Sequence, residues 1–138
     1  MRTKNNVPCH CFRLRRAGNK LTERYNAHLA ECGLTATRFA LLSNIDQNQP
    51  ISTSRLAEMM SLDRTTLVRN LKSLEKAGYI SFSNGKGRER PISLTETGKE
   101  KQVRGMACWQ KAQKELEDAL GSERTELFKE ITDIIDKM

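Results

Sequence analysis

Apolar positions recur at Leu56, Ala57 and Met60, at three- and four-residue steps that predict a helix from about Thr53 with one buried stripe. Ser61-Leu62 reads as a turn. Leu67, Leu71 and Leu74, spaced four and three, predict a second helix. Asp63 is placed to cap it, because its carboxylate can accept from the unpaired amides of Thr65 and Thr66 and favours the helix's positive end. Gly78 supplies a left-handed stop. The period then shortens to that of strands in Tyr79–Phe82 and Pro91–Leu94. Between them Asn84-Gly85-Lys86-Gly87 has the chemistry of a tight turn at positive φ. Ile51 reads as a short third strand beside this hairpin. Helix, turn, helix and hairpin in that order make a winged helix-turn-helix over residues 51–98.

The same periodicity organises the flanks. Residues 1–8 form a polar arm, and a helix follows from Cys9 to about Cys32, with Leu14, Ala17, Leu21, Tyr25 and Leu29 on one side. Arg13, Arg16, Lys20 and Arg24 make a neighbouring basic stripe, read as solvated surface. Gly33 ends this helix. Thr35 caps the next, whose buried face is Phe39, Leu42 and Ile45, and residues 46–50 are a polar connection. Thr95 caps a long helix to about Leu120 carrying Val103, Met106, Trp109, Ala112, Leu116 and Leu120. Gly121-Ser122 breaks it, and a last helix bears Leu127, Phe128, Ile131, Ile134 and Ile135. These terminal stripes have little of their own core to cover, which argues for helical dimerisation. The fold class is therefore mainly α, a winged helix-turn-helix with flanking N- and C-terminal dimerisation helices. Within one compact chain it divides into residues 1–33 (arm and dimerisation helix), 34–98 (winged region) and 99–138 (C-terminal dimerisation helices).

Charge sharpens the picture. The 138 residues are 37% hydrophobic and 30% charged with a net charge of +7, a polar balance for a compact monomer. Residues 1–34 carry seven basic and two acidic side chains, residues 51–95 eight and four, and residues 96–138 eight and ten. Positive charge gathers away from the C-terminal part, as expected of a polyanion binder with an acidic-leaning assembly region. No stretch approaches the roughly eighteen apolar residues of a membrane span, and the N-terminus lacks a signal core. The expected compartment is the cytoplasm, with no membrane partner.

The second helix of the motif keeps Arg64, Thr65, Thr66, Arg69, Lys72 and Lys76 opposite its apolar face, the first four near the end that such a reader pushes into the major groove. Arginine can donate two parallel bonds to guanine, and threonine offers a hydroxyl and a methyl. Lys86, Arg88 and Arg90 on or beside the hairpin tip suit phosphate or the minor groove. Double-stranded DNA is the expected partner. A winged-helix protein-interaction module is the alternative, since this fold also binds proteins.

LAEMMSLDRTTLVRNLKSLEKAGYI, followed by a wing and then SLTETG, resembles the MarR family of bacterial transcription regulators. The anchors are Leu56-Ala57, Asp63, Thr66-Leu67, Arg69, Leu71, Leu74-Glu75, Gly78, and Leu94-Thr95 with Gly98. Where the family's wing usually carries Asp-Arg-Arg, this chain has Gly87-Arg88-Glu89-Arg90, so Arg88 and Arg90 share that role. The resemblance implies a symmetric homodimer on a near-palindromic operator, usually acting as a repressor. It also implies relief by a small aromatic effector held between the dimerisation helices and the winged module, where Trp109, Tyr25 and Phe39 suit either a pocket or plain core.

Catalytic constellations, phosphate loops and paired carboxylates are not found, so an enzyme is not expected, and neither is a cofactor. The four cysteines, at 9, 11, 32 and 108, are expected to be mostly free thiols in a reducing compartment. Cys9-His10-Cys11 supplies three donors too closely spaced for the usual closed tetrahedral site, and no metal is assigned. Cys9 and Cys11 fall where organic-hydroperoxide-responsive relatives carry a sensing cysteine, beside a helix N-terminus and Arg13. Redox sensing, plain packing and, more remotely, thiol oxidoreductase chemistry are the readings of this pair.

Overall fold

In a computed structural model of the chain, residues 9–83 and 90–138 are described. The arm at 1–8 and the hairpin tip at 84–89, with Lys86 and Arg88, lie outside the described residues. The elements run α1 (His10–Leu29), a 3-10 turn (Ala30–Cys32), α2 (Ala36–Asn48), α3 (Thr53–Met60), α4 (Arg64–Lys76), β1 (Ile80–Phe82), β2 (Ile92–Leu94) and α5 (Glu96–Asp136).

Each helix of the winged region starts on the cap its sequence offers. Thr35 accepts from the Arg38 amide, Ser52 from Arg55, Asp63 from Thr66 and Thr95 from Gly98, so donors with no partner inside the helix are satisfied. Gly33 and Gly78 take positive φ of 70° and 81° where α1 and α4 end, and Ser61 does so at 50° in the turn between α3 and α4. β1 and β2 are antiparallel with Ile80 opposite Leu94 and Phe82 opposite Ile92, and Ile51 bridges Ile92 as the short third strand.

One continuous core lies under these elements. Leu29, Leu34, Phe39, Leu41, Leu42, Ile45, Leu56, Leu67, Leu71, Leu74, Ile80 and Ile92 are buried in it. The face that α5 commits to the core follows its apolar stripe in part, at Met106, Trp109 and Ala112. Gly98, Gln102, Gly105, Cys108 and Ala112 are buried, whereas Val103 is 58% exposed. The two glycines hold their places because α5 crosses close to neighbouring backbone at Gly98 and to packed side chains at Gly105. At Gly105 an added Cβ would fall 2.8 Å from a Leu34 methyl and 2.9 Å from the Phe39 ring, and Gly98 sits against the Tyr79 carbonyl. Gly121, at φ 80° and ψ 167°, interrupts α5 where the sequence places a break.

The expectation of mostly free cysteines needs correction. Cys32 and Cys108 form a disulfide, while Cys9 and Cys11 are free. Composition and compartment argue about averages; here the 3-10 turn that follows α1 and the inner face of α5 bring two Cα atoms to 6.8 Å, within bridging range.

Outside this core both ends of the described residues are exposed. Residues 10–20 of α1 are exposed throughout, and so are Leu127, Phe128, Ile131, Ile134 and Ile135. The exposed apolar cluster of residues 127–135, with Phe12 and Leu14 of α1 also exposed, has the character of an association face.

Candidate nucleic-acid interface

The site begins at the turn that aims α4. Ser61 in the left-handed region ends α3, and Asp63 restarts the chain as a helix by taking the Thr66 amide on Oδ1 at 2.8 Å and the Thr66 hydroxyl on Oδ2 at 2.8 Å. Leu67, Leu71 and Leu74 then hold the inner face. Arg64, Thr65, Arg69, Lys72 and Lys76 are left exposed on the outside. Thr66 differs from its neighbours. It is half-buried and its hydroxyl is donated to the cap, which commits its proton to aiming the helix.

Those amide and hydroxyl bonds from Thr66 hold the Asp63 carboxyl below the usual carboxylate range. A depressed carboxyl stabilises the fold above its unfolded pKa, and this contribution is lost as pH falls through the lower, folded value. Asp63→Ala should therefore lower the melting temperature at neutral pH. The gap to the unmodified protein should close in acid, below the ordinary titration of aspartate. A gap independent of pH would show that the cap's charge contributes nothing.

A cleft of about 280 Å³ joins the reading helix to the wing, lined among others by Thr53 at the start of α3, Arg64, Val68 and Lys72 of α4, and Phe82 and Arg90 of the hairpin. Arg90 lies over the Phe82 ring at 5.6 Å and donates through Nε to the Ser83 carbonyl at 3.5 Å, so a flexible side chain is steadied by a cation–π contact. Among the described residues none of Arg64, Arg69, Lys72 or Arg90 forms an ion pair with a carboxylate. Of the wing residues singled out in the sequence, Arg90 is the one described. Thr53 and Phe82 were not singled out; the alternation that puts Phe82 beside the α4 face was the available signal.

Behind this face α1, α2 and α5 enclose a second space. A cavity of about 440 Å³ is lined by Tyr25 and Leu29 of α1, Phe39, Ser43, Asn44 and Gln47 of α2, and Met106 and Trp109 of α5, among others. Phe39 and Trp109 stack with ring centroids 6.0 Å apart. The Tyr25 hydroxyl donates to Gln113, and burial, followed by the nearby Glu117 charge, raises its pKa. The three aromatic residues read from the sequence do meet here. The basic stripe of α1 does not join them, since among the described residues no charged side chain lines the cavity. Arg24 instead pairs with Glu115, which also bonds His28 Nε2 at 2.5 Å; the His28 bond first and Arg24 second hold that carboxyl below its usual range.

Cys9 occupies the cap position of α1 without a side-chain cap bond, and Cys11 is exposed one residue into the helix. Among the described residues no group of three or more His, Cys, Asp or Glu is arranged to hold a metal ion. No helix of the described residues is long and apolar enough to cross a membrane.

Comparison with known proteins agrees with this geometry. The MarR family model matches residues 34–90. The HTH-type transcriptional regulator SarZ of Staphylococcus epidermidis is 35% identical over 92 residues, 65% of this chain and 62% of SarZ, so the match spans less than two thirds of that relative. The Mycobacterium tuberculosis transcriptional regulator MosR is similar over nearly the whole length, with TM-score 0.82, 28% identity and 94% of both chains covered. MosR in complex with DNA gives TM-score 0.79 at 29% identity, covering 91% of this chain and 92% of that one. The M. tuberculosis MarR family protein Rv2887 in complex with p-aminosalicylic acid gives TM-score 0.72 at 25% identity, covering 93% and 98%. The MarR family model thus matches the winged region, and the flanking helices are similar to those of MosR and of the MarR family protein Rv2887 over nearly the whole chain.

Proposed function

We propose that the protein is a sequence-specific DNA-binding transcriptional regulator, acting as a homodimer and as a repressor. The observation that carries this reading is the outer face of α4, where Arg64, Thr65, Arg69 and Lys72 stand exposed, their helix aimed by the Asp63 cap and flanked by the Arg90 cleft. MosR, solved on DNA, is a relative of the same fold and length. Arg69 and Thr65 read bases, Arg64 and Lys72 contact base or phosphate, and Thr66 sets the angle of α4. Lys86, Arg88 and Arg90 of the wing meet the backbone or minor groove. Residues 34–98 form the DNA-binding region, and residues 1–33 and 99–138 form the dimerisation base. Two α4 helices related by a two-fold axis call for a near-palindrome with half-site centres about one helical turn, roughly 10 bp, apart.

Relief comes from a small aromatic ligand in the cavity beside Trp109, a reading supported by the stacked aromatic wall and by p-aminosalicylic acid in the complex of Rv2887. The neutral polar wall of Ser43, Asn44 and Gln47 offers hydrogen-bond partners to a ligand's polar substituents. Oxidation at Cys9 and Cys11 is the second route, favoured by their standing as free thiols on the first turn of α1.

The test is selection of genomic fragments by the purified protein, followed by titration on the selected site and on a scrambled duplex. Arg69→Ala should cost about 1–3 kcal/mol on the site and little on the scramble, while Arg90→Ala should weaken both alike and flatten the salt slope by about one. Equal losses for Arg69→Ala would make it a phosphate contact. Absence of salt-dependent binding to any fragment would overturn the reading in favour of a protein-interaction module. Repeating the titration with p-aminosalicylate, and with peroxide on the Cys9→Ser/Cys11→Ser variant, separates the two routes of relief.

A further inference from the structure

The chain enters the winged module at Gly33, one residue after Cys32, and leaves it along α5, where Cys108 faces inward and is 5% exposed. Their disulfide has a sequence separation of 76 and encloses α2, α3, α4, β1 and β2. It is thus a clasp across the neck of the whole module. It also borders the cavity. Leu29, three residues before Cys32, and Met106 and Trp109, on either side of Cys108, line the same space.

Among the described residues this disulfide is the covalent cross-link between α5 and the segment that follows α1. The neck's other ties are non-covalent: the packing of Leu29, Leu34 and Phe39 in the core, the Ala36 amide on Asn26 Oδ1 at 2.7 Å, the exposed Lys111–Glu31 pair at 3.6 Å, and the Gly33 and Leu34 amides bonding back to Ala30 and Leu29. Exposed ion pairs contribute little. A covalent bond here therefore changes how firmly the module is held to α1 and α5.

We propose that Cys32 and Cys108 are a reversible redox site whose closure clamps the winged module to its helical base and sets the cavity wall. The oxidant class is a peroxide. The half-buried Cys32 sulfur, as thiolate, attacks the outer peroxide oxygen; the O–O bond breaks, a sulfenic acid forms and the alcohol or water leaves with a proton. Cys108, as thiolate, then attacks that sulfur, forming the S–S bond as hydroxide leaves to be protonated to water. The two sulfurs supply the two electrons that reduce the peroxide. A dithiol reverses the step by exchange, becoming a cyclic disulfide and returning two thiols.

The full-length protein and its Cys9→Ser/Cys11→Ser variant are reduced with dithiothreitol, freed of it, exposed to hydrogen peroxide, alkylated and digested. Both should yield a linked Cys32–Cys108 peptide that dithiothreitol removes. Emission of Trp109, the single tryptophan, should change in step with the linkage, and amide exchange around residues 30–34 and 105–112 should slow on the order of tenfold on oxidation. Cys32→Ser, at the half-buried member, should show none of these changes while keeping the circular dichroism of the reduced protein. Cys108→Ala serves as the second variant. Two results would overturn the proposal: both thiols remaining alkylatable after peroxide, or a linkage that leaves emission and exchange unaltered. None of these readouts involves DNA, so they stand apart from the outcome of the DNA titration.

Discussion

Gly98→Ala is expected to destabilise the fold by more than about 3 kcal/mol, at or beyond the upper end of ordinary overpacking. The added Cβ would overlap the Tyr79 carbonyl oxygen and lie 2.8 Å from its carbon. That oxygen is not free to move, because it accepts the Thr95 amide at 3.0 Å. One turn away the Thr95 hydroxyl donates to the Gly78 carbonyl at 2.5 Å and accepts from the Gly98 amide at 3.0 Å. The end of α4, the start of β1 and the start of α5 are thus knotted at one point, and a methyl group there must push two backbones apart. Gly18 is the control. It lies mid-helix with nothing within 4 Å of an added Cβ, so Gly18→Ala should be neutral or stabilising by up to about 1 kcal/mol through helix propensity. Urea denaturation of the two variants measures both. A Gly98→Ala midpoint equal to the unmodified protein's would show that the close approach has slack.

The second large effect is expected from the bare apolar face of α5. Ile131 and Ile134 are 47% and 59% exposed, and Leu127, Phe128 and Ile135 accompany them. Buried against a second copy, together with residues 10–20 of α1, these side chains would form the base that spaces two α4 helices. Ile131→Lys/Ile134→Lys should give a monomer in analytical ultracentrifugation. Its operator affinity should fall about 10²–10⁴-fold, the gain that linking two binding modules supplies. Because neither residue is part of the chain's own core, the winged module should keep its helical signal. A variant that stays dimeric would place the two-fold interface elsewhere. A monomer with undiminished affinity would mean that one module is sufficient for recognition.

Much of the architecture was legible in local chemistry. The caps Thr35, Asp63 and Thr95, the stops Gly33 and Gly78 and the break at Gly121 are decided within four residues of themselves, and the structure has them where the pattern places them. The stripes Leu56 and Leu67-Leu71-Leu74 likewise follow from the helical period. The outer face of α4 was then legible by subtraction, since a helix with one committed side exposes the other.

Tertiary structure decided what depends on approach between distant segments. Apolarity marked Val103 as part of an α5 stripe, but which face of α5 the core takes was set by its crossing over Phe39 and Tyr79, which buries Gly98, Gln102 and Gly105 and leaves Val103 exposed. Arg24 read as part of a basic stripe until Glu115, 91 positions away, engaged it. Thr66 read as a free hydroxyl, but in the fold it donates its hydrogen bond to the Asp63 carboxylate. The pairing of Cys32 with Cys108 lay beyond any local rule, because two thiols separated by 76 positions meet only after α1 and α5 have packed. Periodicity and capping act within a turn or two and are therefore written in order along the chain, whereas close packing, ion pairing and bond formation depend on distances that exist only once the helices have crossed.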